Sequence, residues 1–304
     1  MKAAAGIIET CELAEDGWSV GMSPASGALL WCAYEQSEIL RPTKLYRDWR
    51  NEPFGLSYFP LAPYSNRIRD GRFDFDGKTV SIRPNAVGHE HPLHGVAWRA
   101  DWSVVAQSRS SVKLRYGHEG SDAWPWAFSL FQDIGIEKGT LKISLSMRNE
   151  ARTRMPAGLG FHPYFSGPAT ARLKFSAAGY WRPDEDGLPA EKRDAAGEYD
   201  FSAGRALAGV AMDQCFTGWR GPALIEWTDR PFGVEVGANP SMAFAVVYVS
   251  EKENCFCFEP VSHMNDAVNW AARRADTGLR VLAPGEEWTA TMMLRATKTG
   301  GDKK

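Results

Sequence analysis

Long apolar segments and a surplus of one charge sign are both missing from this sequence. The longest uninterrupted apolar run, Met242 to Val249, has eight residues, whereas a membrane-spanning helix needs roughly 20. Lysine plus arginine is 35 and aspartate plus glutamate is 37, a net charge of -2, so the chain lacks the broad positive field that binding to a nucleic-acid backbone requires. We therefore expect neither a membrane nor a nucleic-acid partner.

Cysteine is scarce as well, and its pattern argues against a disulfide or metal framework. The five cysteines are odd in number and contain no Cys-x-x-Cys pair; they are Cys11, Cys32, Cys215, Cys255 and Cys257. We interpret them as reduced and mostly buried. Cys255 and Cys257 are two apart in an apparent strand, where core packing is favoured over a redox pair. The first residues fall short of the basic segment, the longer apolar core and the small-residue cleavage site of a signal peptide. We therefore expect a cytoplasmic protein.

The residues that are present have the composition of an ordinary globular protein, with 44% hydrophobic and 24% charged residues. The 29 glycines and 18 prolines separate short alternating segments, which is typical of a β protein with many turns. The segment Thr140 to Asn149 is the clearest case, because every second residue from Leu141 onward is apolar. Helical periodicity is scarce, and the candidates Glu191 to Ala195 and Met264 to Arg274 are short.

No repeat, low-complexity linker or break in composition divides the 304 residues. We therefore expect an all-β protein with low helix content, built as one large antiparallel β-sandwich over residues 1–304 with a loose tail from about residue 300. The dipeptide Asp76-Gly77 predicts a hairpin, and Lys138-Gly139 and Asp186-Gly187 predict further turns.

Three of the six histidines, His89, His91 and His94, crowd into one short segment. A His-x-His pattern on a strand places two imidazoles on one face, which would suit a metal site on a β-barrel. However, Pro92 interrupts any such strand, and no convincing carboxylate ligand follows. A polar loop with one or two functional side chains is therefore favoured, and we expect no metal.

Two other residues have the surroundings of a proton carrier. His162 lies between aromatic residues just after glycines that permit close approach of the backbone. Glu259 ends an otherwise apolar strand, where burial would raise the pKa of a carboxylate. On local sequence alone, a core histidine with a structural role is the favoured alternative for His162.

Arg67 and Asp213 each allow a structural and a functional interpretation. Arg67 follows an aromatic stretch of low charge, so its guanidinium could clamp a ligand oxygen or pair with a loop carboxylate. Asp213 could bind a hydroxyl group, although its local sequence favours a turn. The chain also has 12 Trp, 9 Tyr and 15 Phe and lacks phosphate-loop and nucleophile-elbow motifs. Together these features favour a carbohydrate site.

A set of short motifs, taken in order, resembles the aldose 1-epimerase (galactose mutarotase) family. Each motif is weak alone, but their order from about residue 50 to 270 is specific. They are Asn66-Arg67-Ile68, Gly71-Arg72-Phe73, Asp76-Gly77-Lys78, Pro92-Leu93-His94-Gly95, His162-Pro163-Tyr164-Phe165, Asp213-x-x-Phe216, Phe258-Glu259-Pro260 and Asp266-Ala267-Val268-Asn269. The family's fold is a large antiparallel β-sandwich with an open cleft on one face.

The resemblance implies cofactor-free interconversion of the α and β anomers of an aldose. It implies that Glu259 is the general base at the C1 hydroxyl and His162 the general acid at the ring oxygen. It further implies that Asn66, Arg67, His94 and Asp213 hold the sugar. We expect nearby carboxylates to favour the imidazolium form of His162, and we expect a monomer or homodimer.

The motifs also depart from the family's galactose-acting members, which often carry Asn-His-x-Tyr-Phe-Asn around the acid. Here Phe161 precedes the histidine and Ser166 ends the motif, so the identity of the sugar stays open. Two alternatives remain. One is a hexose 6-phosphate mutarotase that uses Arg69, Arg72 and Arg83 as a phosphate clamp, and the other is a non-catalytic carbohydrate-binding module of the same fold.

Overall fold

Alternation of polar and apolar residues produces antiparallel strands along most of the chain in the computed structural model, which describes residues 10–43, 49–50, 53–250 and 252–298. The strands of the first half are β1 (Cys11–Glu15), β2 (Trp18–Ser23), β3 (Ala28–Tyr34), β4 (Ser37–Leu40), β5 (Tyr58–Leu61), β6 (Arg72–Phe75), β7 (Lys78–Ser81), β8 (Ser103–Gln107), β9 (Ser111–His118), β10 (Phe128–Glu137), β11 (Thr140–Asn149) and β12 (Met155–Ala157).

The strands of the second half are β13 (Gly160–Ser166), β14 (Ala171–Lys174), β15 (Gly179–Pro183), β16 (Pro189–Asp194), β17 (Arg205–Ala206), β18 (Met212–Thr217), β19 (Ala223–Trp227), β20 (Phe232–Ala238), β21 (Phe244–Val249), β22 (Cys255–Val261), β23 (Arg280–Leu282) and β24 (Glu287–Lys298). Helical structure in the described residues is limited to α1 (Ala267–Trp270) and the 3-10 turns Pro53–Gly55, Arg69–Gly71 and Ala97–Arg99. No helix in this part of the chain is long and apolar enough to cross a membrane.

Two large antiparallel sheets account for most of these strands. The first has 11 strands in the order β1-β2-β3-β4-β13-β22-β21-β18-β15-β16, with β5 paired to β13 and β3. The second has nine strands in the order β17-β14-β19-β20-β24-β11-β10-β9-β8. The pairs β6-β7 and β12-β23 form two small additional sheets. The predicted low-helix β-sandwich is therefore confirmed.

The main core lies between the two large sheets. From the 11-stranded sheet it takes Phe165, Phe256 and Phe258, and from the nine-stranded sheet it takes the alternating residues Leu141 and Ile143. All five side chains are fully buried. Each buried aromatic or aliphatic side chain of this size stabilises the fold by about 1.5–3 kcal/mol relative to exposure.

The opposite face of the 11-stranded sheet carries a second apolar cluster, which we call the outer cluster. It includes Phe59, Tyr164, Val246 and Cys257 from the sheet, and Trp98 from the connection between β7 and β8. Residues of that connection therefore cover part of the outer face, and the cleft described below opens beside them.

Several local predictions are confirmed, and one is wrong. The strand predicted at Thr140 to Asn149 is β11, and Asp76-Gly77 joins β6 to β7 as a hairpin. By contrast, the helix considered at Glu191 to Ala195 is not formed, because its residues up to Asp194 pair with β15 as the edge strand β16. Charged side chains suit such an edge because they discourage pairing with another chain.

Predictions for the rest of the chain have mixed outcomes. The segment Met264 to Arg274 contains a single helical turn, α1, and all five cysteines are free and buried. That residues 1–304 form one domain stays a prediction. The tail predicted from about residue 300 lies outside the described residues.

Candidate active site

Strand pairing brings together the two residues expected to move protons. In the antiparallel pair β13-β22, Tyr164 lies opposite Cys257. His162 lies two residues before Tyr164 and Glu259 two residues after Cys257, so these two residues also lie opposite each other. The distance from His162 Nε2 to Glu259 Oε1 is 3.4 Å. Their exposed fractions are only 6% and 2%, so the pair sits in a poorly solvated environment.

The pair lies in a cleft of about 260 Å³ on the outer face of the 11-stranded sheet. This volume is slightly below the roughly 300–1,000 Å³ typical of pockets for drug-sized molecules, so it suits a small ligand. All six side chains predicted for the site line this one cleft; they are Asn66, Arg67, His94, His162, Asp213 and Glu259. Phe54, Leu93 and Val246 add apolar surface to its walls.

Burial sets the protonation state of the pair in the absence of a ligand. Desolvation lowers the pKa of His162 to about 3, and the nearby positive charge of Arg41 adds to this effect. Desolvation raises the pKa of Glu259 well above 4.5, helped by the negative charge of Asp213 and opposed by Arg67. The expectation that nearby carboxylates favour the imidazolium is therefore wrong for the empty cleft, because the loss of water outweighs charge attraction. Both shifts act in the same sense, so in the empty cleft a proton is favoured on the carboxyl group over the imidazole.

One oxygen of this carboxyl group has no hydrogen-bond partner among the described residues. Glu259 Oε2 is fully enclosed, yet nothing there donates to or accepts from it. Buried polar atoms almost always have a partner, so this unpaired oxygen is an exception, and it belongs to a residue that lines the cleft.

Aromatic packing fixes the plane of the His162 imidazole. The Tyr164 ring stacks on it at a centroid distance of 4.7 Å and an angle of 23°, and Phe59 packs at 4.5 Å. The guanidinium of Arg41 lies 4.0 Å from the centroid of the Tyr164 ring, and its Nη1 pairs with Glu253 at 2.8 Å. Tyr164 belongs to the same strand and motif as His162, whereas the position of Arg41 is not visible in local sequence, because its backbone N bonds to the Tyr164 carbonyl from the segment after β4.

Asn66 connects two of the substrate-binding candidates. Its backbone has a φ of 58°, a left-handed conformation that asparagine tolerates better than most residues. Its N–H donates to His94 Nδ1 at 3.2 Å, so the neutral His94 ring carries its proton on Nε2 as a donor. Its Oδ1 accepts from the backbone N and Nη1 of Arg67, at 2.9 and 3.1 Å. Burial, followed by the charges of His162 and Arg67, lowers the pKa of His94 and keeps this ring neutral.

Asp213 faces Arg67 at the open side of the cleft. The distance from Arg67 Nη1 to Asp213 Oδ2 is 3.8 Å, and 45% of the aspartate side chain is exposed. The turn favoured from local sequence is wrong, because Asp213 lies within β18 opposite Tyr248 of β21. A polar residue on the open face of a strand whose other face is buried produces the same local pattern as a turn.

The remaining residues of the histidine-rich segment have separate roles. His94 and His89 line the cleft, whereas His91 Nδ1 accepts a hydrogen bond from the backbone N of Asp70 at 3.1 Å. With one nitrogen of His91 and one of His94 bound to backbone N–H groups, the three histidines do not form a metal-binding group in the described part of the chain.

The three arginines considered for a phosphate clamp lie outside the cleft. Neither Arg69, Arg72 nor Arg83 lines it. Arg69 pairs instead with Asp184 at 2.5 Å and with Asp186 at 3.7 Å, so two carboxylates already occupy its guanidinium.

The motif that begins at Asp266 supports the loop carrying Arg67. The Asp266 N–H donates to the carbonyl of Arg67 at 3.0 Å, and Asp266 Oδ1 accepts from the backbone N of Arg69 at 3.0 Å. Asn269 Nδ2 donates to the same oxygen at 2.8 Å. These bonds hold the loop against α1 and leave the Arg67 side chain directed to the cleft.

Comparison with known proteins agrees with this arrangement. A family model described as aldose 1-epimerase matches residues 26–295. The chain belongs to the aldose 1-epimerase family. Among curated aldose 1-epimerase relatives, the Escherichia coli K12 enzyme is 26% identical over 160 residues, covering 49% of this chain and 45% of that protein.

Other relatives of this aldose 1-epimerase family member match over more of its length. The Escherichia coli K12 protein YphB, described as uncharacterized, is 31% identical over 247 residues, covering 79% of this chain and 83% of that protein. A crystal structure from Escherichia coli K12, described as a candidate aldose 1-epimerase, has a TM-score of 0.87 at 28% identity and covers 96% of this chain and 99% of that chain. A galactose mutarotase-like protein from Clostridium acetobutylicum shares the fold, with a TM-score of 0.85 at 21% identity and 95% coverage of both chains.

Proposed function

We propose that the protein interconverts the α and β anomers of an aldose through the open-chain aldehyde, without a cofactor. The observation that carries this proposal is the contact of 3.4 Å between His162 Nε2 and Glu259 Oε1 in the cleft. Ring opening of an aldose needs one proton removed from the C1 hydroxyl and one delivered to the ring oxygen. A pair that holds a single proton can supply both steps.

In the working state, the shared proton lies on His162 and Glu259 is ionised. Transfer across the 3.4 Å contact converts the neutral pair of the empty cleft into this state. Glu259 then takes the proton of the C1 hydroxyl, His162 protonates the ring oxygen O5, and the C1–O5 bond breaks. Rotation about the C1–C2 bond presents the other face of the aldehyde, and the same two residues exchange roles as the ring closes.

The other residues of the cleft hold the sugar. His94 offers its Nε2–H and Arg67 its guanidinium N–H groups to ring and hydroxyl oxygens, while Asp213 accepts from hydroxyl groups. Apolar walls suit the C–H faces of a pyranose. Mutarotation already proceeds in water, so positioned proton transfer, typically worth about 10² to 10⁴-fold, suffices for useful catalysis.

The experiment is polarimetry of freshly dissolved α-anomers of free and 6-phosphorylated aldoses. We expect the wild-type protein to accelerate the decay of optical rotation of a free aldose above the buffer rate. His162→Ala and Glu259→Gln should each abolish this acceleration, while Glu259→Gln still binds the sugar. Glu191→Gln, on the exposed edge strand β16, and His118→Gln, outside the cleft, serve as controls and should retain the wild-type rate.

Three outcomes would contradict the proposal in different ways. Sugar binding with no acceleration by wild-type protein would indicate a non-catalytic carbohydrate-binding module. Acceleration only with 6-phosphorylated sugars would favour the phosphosugar alternative, although Arg69, Arg72 and Arg83 lie outside the cleft. Full activity in His162→Ala or Glu259→Gln would remove the proton-transfer roles.

A further inference from the structure

We propose that His162, Cys257 and Glu259 form a binding site for a thiophilic divalent cation such as Zn²⁺, and that occupation of this site reversibly inhibits the protein. The metal would act as an inhibitor that displaces the shared proton, because the proposed reaction needs no metal. The binding part of this proposal stands by itself, whereas the inhibition part rests on the proposed function.

The geometry of the sheet brings the three donors together. Cys257 and Glu259 are two residues apart in β22 and project from the same face, and His162 projects beside them from the paired strand β13. One ligand atom of each residue, a sulfur, an imidazole nitrogen and a carboxylate oxygen, lies within 4.8 Å of the other two. Because the backbone ladder fixes all three Cβ positions, these donors are already near one another before a metal arrives.

The donor set is one that zinc favours. Zinc bonds of about 2.0–2.3 Å in a tetrahedron place neighbouring donor atoms about 3.5 Å apart. The three atoms, within 4.8 Å of one another, therefore need to converge by about 1 Å, which side-chain rotation can supply. His162 and Glu259 line the cleft, so water from the cleft can take the fourth position, as in zinc sites with an open coordination position.

Charge balance also favours a divalent cation here. A thiolate at Cys257 and a carboxylate at Glu259 would together place two negative charges in a buried setting, and a divalent ion neutralises both. With the site empty, burial raises the pKa of Cys257 and keeps the thiol protonated, so metal binding must release protons. The guanidinium of Arg41, whose charge acts on His162 and Cys257, already pairs with Glu253 at 2.8 Å.

The proposed reaction gives Cys257 no role, and the same strand provides a matched control. Cys255 is also fully buried and projects from the same face two residues earlier. Its thiol donates to Glu253 Oε2 at 3.3 Å, and it is not part of the three-donor group. A general effect of zinc on buried thiols would involve both cysteines, whereas the proposed site involves Cys257 alone.

The test is a titration of the chelator-treated, full-length protein with ZnCl₂, with a chromophoric chelator as competitor. We expect one zinc ion per chain for wild type and for Cys255→Ser. Both Cys257→Ala and Cys257→Ser, made in case one of them folds poorly, should bind zinc at least about tenfold more weakly because one of three protein ligands is lost. With CoCl₂, thiolate-to-cobalt charge-transfer absorption should appear in wild type and Cys255→Ser and be absent without Cys257.

Unchanged zinc affinity in folded Cys257→Ala, or no zinc binding by wild type at tens of micromolar, would overturn the proposal. Inhibition is tested by measuring the rate of anomer exchange with and without zinc. We expect zinc to slow the exchange and a chelator to restore the rate. If wild type has no mutarotase activity, the zinc and cobalt titrations still decide whether the site exists. If activity is present and zinc binds without slowing it, the inhibition part is wrong.

Discussion

The two faces of the 11-stranded sheet use the same strands for different purposes. On β13, Phe161 and Phe165 point into the main core between the sheets, whereas His162 and Tyr164 point to the outer face and line the cleft. On β22, Phe258 belongs to the main core, while its neighbour Glu259 carries the unpaired oxygen. Because side chains alternate between the two faces of a strand, a residue of the main core is followed directly by a residue of the cleft.

The comparison shows that equal burial has opposite meanings on the two faces. Phe258 and Glu259 are exposed by 0% and 2% respectively. Burial of Phe258 removes apolar surface from water and stabilises the fold, whereas burial of Glu259 leaves a carboxyl group poorly solvated and without a full set of partners. The rigid inner face holds the outer face in position, so the groups at the cleft stay close although their surroundings disfavour their charged forms.

The largest expected effect is on the outer face. Glu259→Gln should lower kcat by about 10²–10⁴-fold, because an amide cannot accept the C1 proton. The free energy of unfolding should be unchanged or raised at pH 8, since a neutral isostere replaces a poorly solvated carboxyl group. Polarimetry measures the change in kcat, and urea denaturation measures the change in the free energy of unfolding. A large loss of stability would indicate that Glu259 is mainly structural.

The neighbouring residue should behave in the reverse way. Phe258→Ala should reduce the free energy of unfolding by about 3–5 kcal/mol, because it leaves a cavity in the main core where Phe258 contacts Phe175 and Trp219. The molecules that remain folded should retain a kcat within a few-fold of wild type. Urea denaturation measures the first quantity, and activity per folded molecule at low temperature measures the second.

A third effect is expected on acidification. Burial lowers the pKa of His263 to about 4. It also lowers the pKa values of His94 and His162 below the ordinary histidine value of 6.5. The unfolded chain therefore binds more protons, and stability should fall as the pH drops below about 6.5, by about 1.4 kcal/mol per pH unit for each histidine. The raised pKa values of Glu259, Asp213 and Asp266 act in the opposite sense and offset part of this loss.

His263→Gln removes the contribution of one buried histidine to this pH dependence without changing His162 or Glu259. His263 Nε2 accepts from the backbone N of Ser65 at 3.1 Å, and the side-chain amide of glutamine can do the same. Urea midpoints at pH 7 and pH 5 should differ less in this variant than in wild type. Equal pH dependence in both proteins would show that His263 is not a buried neutral group.

The smallest expected effect is at the open side of the cleft. Asp213→Asn should raise KM by about tenfold with little change in kcat, because a hydrogen bond to a charged group is worth about 1.5–3 kcal/mol when buried and less at a residue that is 45% exposed. Steady-state kinetics separate the two constants. A fall in kcat alone would assign Asp213 to the chemical step instead of substrate binding.

The comparison of the two faces also explains what the sequence could predict. Alternation at Thr140 to Asn149 predicts β11, because the period of a strand is local information. The motifs around His162 and Glu259 single out both residues, and their meeting depends on β13 and β22 being neighbours, which local sequence does not contain. The third donor, Cys257, is two residues from Glu259, but its proximity to His162 follows from the same pairing.

Other features depend on environment more than on residue type. The protonation of His162 was predicted wrongly because it is decided by desolvation, which requires the packed rings of Phe59 and Tyr164. Asp213 was predicted in a turn because its position opposite Tyr248 is visible only in the sheet.

The most direct test of the account is a double-mutant cycle on the proton pair, read by NMR exchange between the α and β anomer signals of an aldose at equilibrium. The proteins are wild type, His162→Gln, Glu259→Gln and the double variant. If the two residues form one proton-transfer unit, the double variant should be no slower than the slower single variant. Losses that multiply, or a wild-type exchange rate in either single variant, would contradict the account.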